Sequence, residues 1–321
     1  MKSLETWKFI GESLGKEIPV MLLYVLESYG SSPGRPGFLM AVNLAGEMEG
    51  SLGGGIMEHK FVEMAKSRLV EDNDEFSVHK QIHKRNAVRD RSGMICSGEQ
   101  TILIYPLREK DITHVHLIIT CLEQYRFGAL KISPGGLSFS NTPETGKQPV
   151  FKMSTMEDWE YEETIGYQNH LYIVGAGHCA LGLSRIMKMM DFYIYLFDDR
   201  PGLKTMTQNN FVHEKRLLAD YSQLSEYIQP GANHYIVIMT VGYRSDEIAL
   251  KAIINKDFKY LGLLGSKSKI DEMFADLRKQ GVPEDNLKRV RAPVGLPVNS
   301  HTPEEVAISI AAEIIQVKNK E

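Results

Sequence analysis

Apolar and polar positions along the chain follow two periods, and the change from one to the other divides it. Leu4, Trp7, Ile10 and Leu14, with Phe9 at the edge of that face, recur at helical spacing and predict a helix over residues 3–15. Val20 to Leu26 is a continuous apolar run, short enough for a buried strand. Phe38 to Val42 reads as the next strand, and Leu44-Ala45-Gly46-Glu47 turns it back as a hairpin. A helix reaching about Val70 follows a glycine-rich stretch, and Val78–His83 and the alternating Thr101–Leu107 read as strands. Ile112–Leu122 suits a helix or a strand. Ala129–Ile132 and Leu137–Phe139 form a hairpin across Pro134-Gly135-Gly136.

Residues 141–168 are polar, acidic and without period, and read as an interdomain linker with a short strand at Pro149–Lys152. Beyond them strand and helix signals alternate. Leu171–Val174, Tyr193–Phe197, His234–Thr240 and Tyr260–Gly265 are strands, with helices after the first, third and fourth. Such alternation argues for a parallel sheet with helical crossovers. The fold class is therefore α/β, with a mixed α/β N-terminal domain carrying a Gly-rich loop (residues 1–140) and a Rossmann-like parallel-sheet C-terminal domain (residues 169–321). A closing helix starts at Thr302-Pro303-Glu304-Glu305, a capping box with proline at its first position.

Composition narrows the class. Hydrophobic content of 43% and charged content of 24% are those of a globular protein, and the net charge of −4 gives no electrostatic case for nucleic acid or anionic membrane. No apolar run reaches the ~20 residues of a spanning helix, and the amphipathic, acid-bearing first residues are neither signal nor transit peptide. Three cysteines, Cys96, Cys121 and Cys179, form no CxxC pair, which argues against a disulfide framework or a zinc ribbon and for the cytoplasm.

Candidate chemistry gathers in four places. The first strand of the second domain runs into Gly175-Ala176-Gly177-His178-Cys179-Ala180, a G-x-G-x-x-A turn opening a helix, and the next strand ends on Asp198-Asp199. Gly175 permits the turn, Gly177 admits a phosphate, and Ala180 keeps helix and sheet close. Asp198, 23 residues after Gly175, suits a ribose diol and disfavours a 2′-phosphate, so NAD is favoured over NADP. A Rossmann fold without a ligand is the plain alternative. Gly265-Ser266-Lys267, with Lys269, offers a second anion site at a helix start or else solvated lysines. Gly53-Gly54-Gly55 ahead of Glu58 reads as a loop whose amides line an anion, or as a tight packing turn; Glu58 also complements the helix dipole. Cys96, between Gly93 and Gly98, is a reachable thiol or a small buried hydrophobe. Cys179 is the competing thiol, since a helix N-terminus could lower its pKa, and it ranks second because packing explains it adequately.

Four segments in order along the chain, GSSPGRPG, GSLGGGIMEH, MICSGEQTILIYPL and the C-terminal VGAGH…DDRPG, LGLLGSKSK, PVGLPVNSHTPEEVAISIAAEI, resemble the XdhC/CoxI family of accessory proteins to molybdenum hydroxylases such as xanthine dehydrogenase. The resemblance implies a protein that binds the molybdenum cofactor (molybdopterin, in many bacterial enzymes a dinucleotide), promotes or protects its sulfurated form and hands it to the apo-hydroxylase. It does not imply purine oxidation by the chain itself, although some members are labelled xanthine dehydrogenase subunits. The family's motif cysteine falls on Cys96, where a thiolate could touch molybdenum or its terminal sulfur. Its glycine loop falls on Gly53-Gly54-Gly55 with Glu58, and its Rossmann turn on Gly175, Gly177 and His178. The resemblance also suggests a cysteine desulfurase as partner, and a homodimer is the expected state. Ser97-Gly98 stands where the family has two glycines, and Gly295-Leu296-Pro297-Val298-Asn299-Ser300 where its motif reads GLDIGA, which removes a carboxylate at position 297. The competing readings are an NAD-dependent oxidoreductase with chemistry near His178 or Tyr243, and a nucleotide-binding component of a hydroxylase complex.

Overall fold

A computed structural model describes residues 2–82, 98–141 and 148–320. It divides into two compact units, Met1–Gly166 and Tyr167–Glu321.

The first unit opens with α1 (Lys2–Gly15), β1 (Val20–Gly30), β2 (Leu39–Asn43), β3 (Met48–Gly50), α2 (Gly55–Val70), β4 (Ser77–Ile82) and β5 (Gly98–Leu107). These first five strands form an antiparallel sheet in the order β3-β2-β1-β5-β4. The central strand β1 is buried on both faces. Leu22, Tyr24 and Leu26 pack with Trp7 and Ile10 of α1, while Met21, Leu23 and Val25 pack with Phe61, Val62 and Ala65 of α2. Two covered faces explain why Val20–Leu26 is continuously apolar rather than alternating. The strand runs on to Gly30, past the expected end at Leu26, because β5 pairs with it to the Gly30–Gly98 step across a bulge between Val25 and Glu27.

There follow α3 (Ile112–Glu123), β6 (Phe127–Ser133), β7 (Gly136–Ser140), β8 (Val150–Met153) and β9 (Trp159–Gly166), the strands in the antiparallel order β7-β6-β9-β8. Val115 and Ile118 settle α3 as a helix by packing into the same core as Leu130, Trp159 and Tyr161. The linker expected over 141–168 is corrected here. Residues 150–153 and 159–166 are strands of this sheet, and the unit ends at Gly166. The inward positions of β9 are Trp159, Tyr161 and Glu163, so its period of two is interrupted by a carboxylate. Glu163 is only 7% exposed, and its Oε1 accepts a hydrogen bond from the Tyr24 hydroxyl.

The second unit comprises β10 (Asn169–Val174), α4 (His178–Lys188), β11 (Phe192–Asp198), α5 (Lys204–Gln208), β12 (Glu214–Leu217), α6 (Leu224–Tyr227), β13 (Gly231–Ile238), α7 (Tyr243–Ile253), β14 (Phe258–Leu263), α8 (Lys267–Lys279), α9 (Glu284–Lys288) and α10 (Pro303–Lys318). All its strands are parallel, in the order β12-β11-β10-β13-β14. Helices cover both faces: Ile173, Val237 and Leu196 pack with Leu183 and Ile310, while Val174, Ile236 and Ile238 pack with Leu250 and Met273. Strand order reverses between β10 and β13, which is where an open α/β sheet forms a ligand crevice. Among the described residues no helix is long and apolar enough to cross a membrane.

Candidate functional site at the carboxyl ends of the parallel strands

The turn after β10 is shaped by close backbone approach. Gly175 has φ +102, and a Cβ there would lie 2.3 Å from the Met239 carbonyl oxygen at the end of β13. Its amide donates to the Phe197 carbonyl at 2.8 Å, tying the turn to β11 as well. Gly177 differs: φ is −75 and nothing lies within 4 Å of where its Cβ would stand. It heads α4 with no side-chain cap, so the first amides of the helix have no side-chain acceptor. His178 is exposed beside them, and Ala180 is buried, closing α4 onto the sheet. Open space above uncapped amides at the switch point is the geometry in which helix starts accept anions.

Asp198 does not face that space. It is 0% exposed; its Oδ2 accepts the Ala176 amide at 2.7 Å and its two oxygens take the Arg200 guanidinium at 2.8 and 2.7 Å, with the Arg200 amide at 2.9 Å. Burial pushes the carboxyl up, but the Arg200 guanidinium and the two amides outweigh it and hold the acid below its ordinary range. The expected ribose contact through Asp198 is therefore corrected: its acceptor capacity is spent on the turn and on Arg200. Asp199, half-buried, is the acid of the pair with exposed surface at this edge. Arg200 escaped the sequence reading, although an Arg two residues after a strand-ending Asp is the signal for such a pair.

The other strand tips are built around acids too. Asp246, 0% exposed in the first turn of α7, accepts the Thr240 amide at 3.0 Å and its hydroxyl at 2.6 Å, and binds Lys269 Nζ at 2.5 Å. Lys269 is thereby taken by the fold. Ser266 caps α8 by accepting the Lys269 amide at 3.4 Å, and Lys267 beside it is exposed. Tyr243 donates to Asp276 at 2.8 Å, and burial and that carboxylate push its phenol up to about 12.

In the first unit the glycine loop supplies its own anion. Glu58 Oε2 accepts the Leu52 amide at 2.7 Å, the Gly54 amide at 3.1 Å and the Ser51 hydroxyl at 2.7 Å. Gly53, Gly54 and Gly55 all have positive φ, and a Cβ on Gly53 would lie 2.5 Å from the Gly34 nitrogen and the Pro33 carbonyl carbon. The loop thus packs against Pro33-Gly34, and its Leu52, Gly53 and Gly54 amides already have side-chain acceptors in Glu58 and Ser51. Gly98 packs just as closely on Ser31-Ser32, where an added Cβ would lie 2.6 Å from the Ser31 carbonyl carbon, so three of the sequence motifs meet at one end of the first sheet. Cys96 lies outside the described residues. Cys179 is half-buried, and burial pushes its thiol up, contrary to the lowering expected from its helix start. Among the described residues no three His, Cys, Asp or Glu side chains are grouped to hold a metal.

Comparison with known proteins accords with these motifs. A model described as the XdhC Rossmann domain matches residues 171–314, and one described as the XdhC and CoxI family matches residues 14–78. The chain is 25% identical over 303 residues to the Escherichia coli uncharacterized protein YqeB (94% of this chain, 44% of YqeB). It is 26% identical over 192 residues to a probable xanthine dehydrogenase subunit of Bacillus subtilis (57% of this chain, 55% of that one). It thus spans about half the length of the curated relatives it matches. A crystal structure titled as a xanthine dehydrogenase from Bacillus halodurans superposes with a TM-score of 0.74 at 22% identity, covering 100% of this chain and 97% of the other, a likeness of fold.

Proposed function

For a chain that belongs to the XdhC and CoxI family, as this one does, we propose an accessory protein that binds the molybdenum cofactor and hands it to a hydroxylase of the xanthine dehydrogenase type. The observation that carries the reading is the uncapped start of α4 beneath the open space at Gly177, at the crevice between β10 and β13. A phosphorylated cofactor fits these residues: the first amides of α4 would hold its phosphate, with Gly177 leaving room for it. Bound there, the cofactor supplies the molybdenum centre that the recipient enzyme uses. The chain's own task is to bind and orient. Gly175 fixes the turn, Asp198 and Arg200 brace it from within, and Lys267 adds an exposed cation at the neighbouring strand tip. The name of the Bacillus subtilis relative supports association with a xanthine dehydrogenase system. A desulfurase partner and a homodimer belong to the same proposal.

The test is co-purification, reading molybdenum by mass spectrometry and pterin by fluorescence. Gly177→Asp places a carboxylate in the cradle without a steric clash, and we expect it to lower retained cofactor about tenfold or more against wild type. Cys96→Ala tests the motif cysteine in parallel. Wild-type protein that retains no pterin but binds NAD would overturn the reading in favour of a redox or nucleotide-sensing role.

A further inference from the structure

A concavity of about 560 Å³ lies along β14 at the amino-end side of the parallel sheet, away from the crevice, bounded by the 288–293 segment and α10. Five cations line it, Lys256, Lys259, Lys288, Arg289 and Arg291, against a single carboxylate, Glu313. The chain as a whole carries −4, so this is a local reversal of sign.

The cations divide by what they already do. Lys256 donates to the Ser225 and Ile228 carbonyls at 2.5 and 2.8 Å, and Arg289 pairs with Asp257 and donates to the Ile254 carbonyl at 2.9 Å. Lys288 has only an exposed contact with Asp285 at 3.5 Å. Lys259 and Arg291 are exposed, and neither makes an ion pair among the described residues. Arg291 is nevertheless well placed: its amide donates to the Leu261 carbonyl at 2.8 Å and its carbonyl accepts from Leu263 at 2.9 Å, fixing it beside β14. Glu313 is 8% exposed and its Oε2 accepts from the Tyr260 hydroxyl at 2.6 Å and the Gly295 amide at 2.8 Å, so the acid is committed to the fold. Between the cations, Phe258, Leu261, Val290, Pro293 and Val317 add an apolar strip to a lining that is mainly polar.

Uncommitted cations around a mainly polar hollow of this size, with an apolar strip on its wall, suit a ligand with both an anionic head and a ring-sized body. We propose that this concavity binds a phosphorylated organic anion of mononucleotide size, through Lys259 and Arg291, at a site separate from the Rossmann crevice. The proposal does not rest on the cofactor reading, because the two places share no residue.

Calorimetric titration of the full chain with adenosine 5′-monophosphate, inorganic phosphate and adenosine tests it. The monophosphate should bind, and Lys259→Glu with Arg291→Glu should remove that binding component or weaken it about tenfold or more. The charge-conserving pair Lys259→Arg with Arg291→Lys should retain it, and Gly177→Asp should leave it unchanged. Absence of binding to wild type, or equal binding by the charge-reversed protein, overturns the proposal. So does loss in Gly177→Asp alone, or equal affinity for phosphate or adenosine alone. Failure of the crevice reading shows instead as absent pterin in the purified protein, whichever way this titration falls.

Discussion

Two buried carboxylates, Asp198 and Glu163, show how partners decide the behaviour of the same group. Asp198 has a guanidinium and two backbone amides and stays ionised; removing Arg200 would strand its charge inside the protein. Arg200→Ala should therefore destabilise the protein by roughly 3 kcal/mol, with Arg200→Lys in between because an ammonium cannot reproduce the bidentate fork. Chemical denaturation at neutral pH measures both. Glu163 has no cation partner among the described residues: burial, opposed by the Tyr24 and Tyr161 hydroxyls, pushes its pKa from 4.5 to about 7. The folded state thus holds a proton that the unfolded state releases, so stability contributed by this group is present below pH 4.5 and is lost as pH rises through about 7. Glu163→Gln should flatten that part of the denaturation profile between pH 5 and 8, taken as a rough window from the linkage relation. An unchanged slope in the variant would show that another group is responsible.

Elements differ in how much of them their own residues announce. The βαβ unit from Leu171 to Asp198 was legible because local signals agree: apolar run, glycine turn, helical period, second run and terminal acid. The closing helix was legible for the same reason, and its capping box forms with Thr302 Oγ1 accepting the Glu305 amide at 3.2 Å. Strand β9 was hidden by Glu163, a charged residue at an inward position whose acceptability depends on Tyr24 from another strand. The site was half legible. Gly175, Gly177 and Ala180 have local causes, whereas the engagement of Asp198 by Arg200 and of the glycine loop by Glu58 depends on three-dimensional hydrogen bonding that spacing does not encode. Gly53 carries the clearest element-level test. Its φ of +114 and its contact with Pro33-Gly34 leave no room for a methyl group, so Gly53→Ala should cost about 1–3 kcal/mol or more in a thermal or urea melt. Gly54→Ala, with nothing within 4 Å of its Cβ, should show only the cost of its positive φ.

At the scale of the molecule, each unit has its own buried clusters: α1, α2 and α3 pack on antiparallel sheets in one, and helices cover both faces of a parallel sheet in the other. Residues 167–321 expressed alone should therefore fold with a cooperative melt; a non-cooperative, dye-binding product would show that this unit depends on the first. The parallel sheet also sets a distance. Strand β14 is 6 residues long, which separates its two ends by about 20 Å at ~3.3 Å per residue. Ionic screening at physiological salt acts over about 8 Å. Charge arriving at one end of the sheet is thus nearly invisible at the other, and two anions loaded at opposite ends should bind additively, with neither repelling its counterpart.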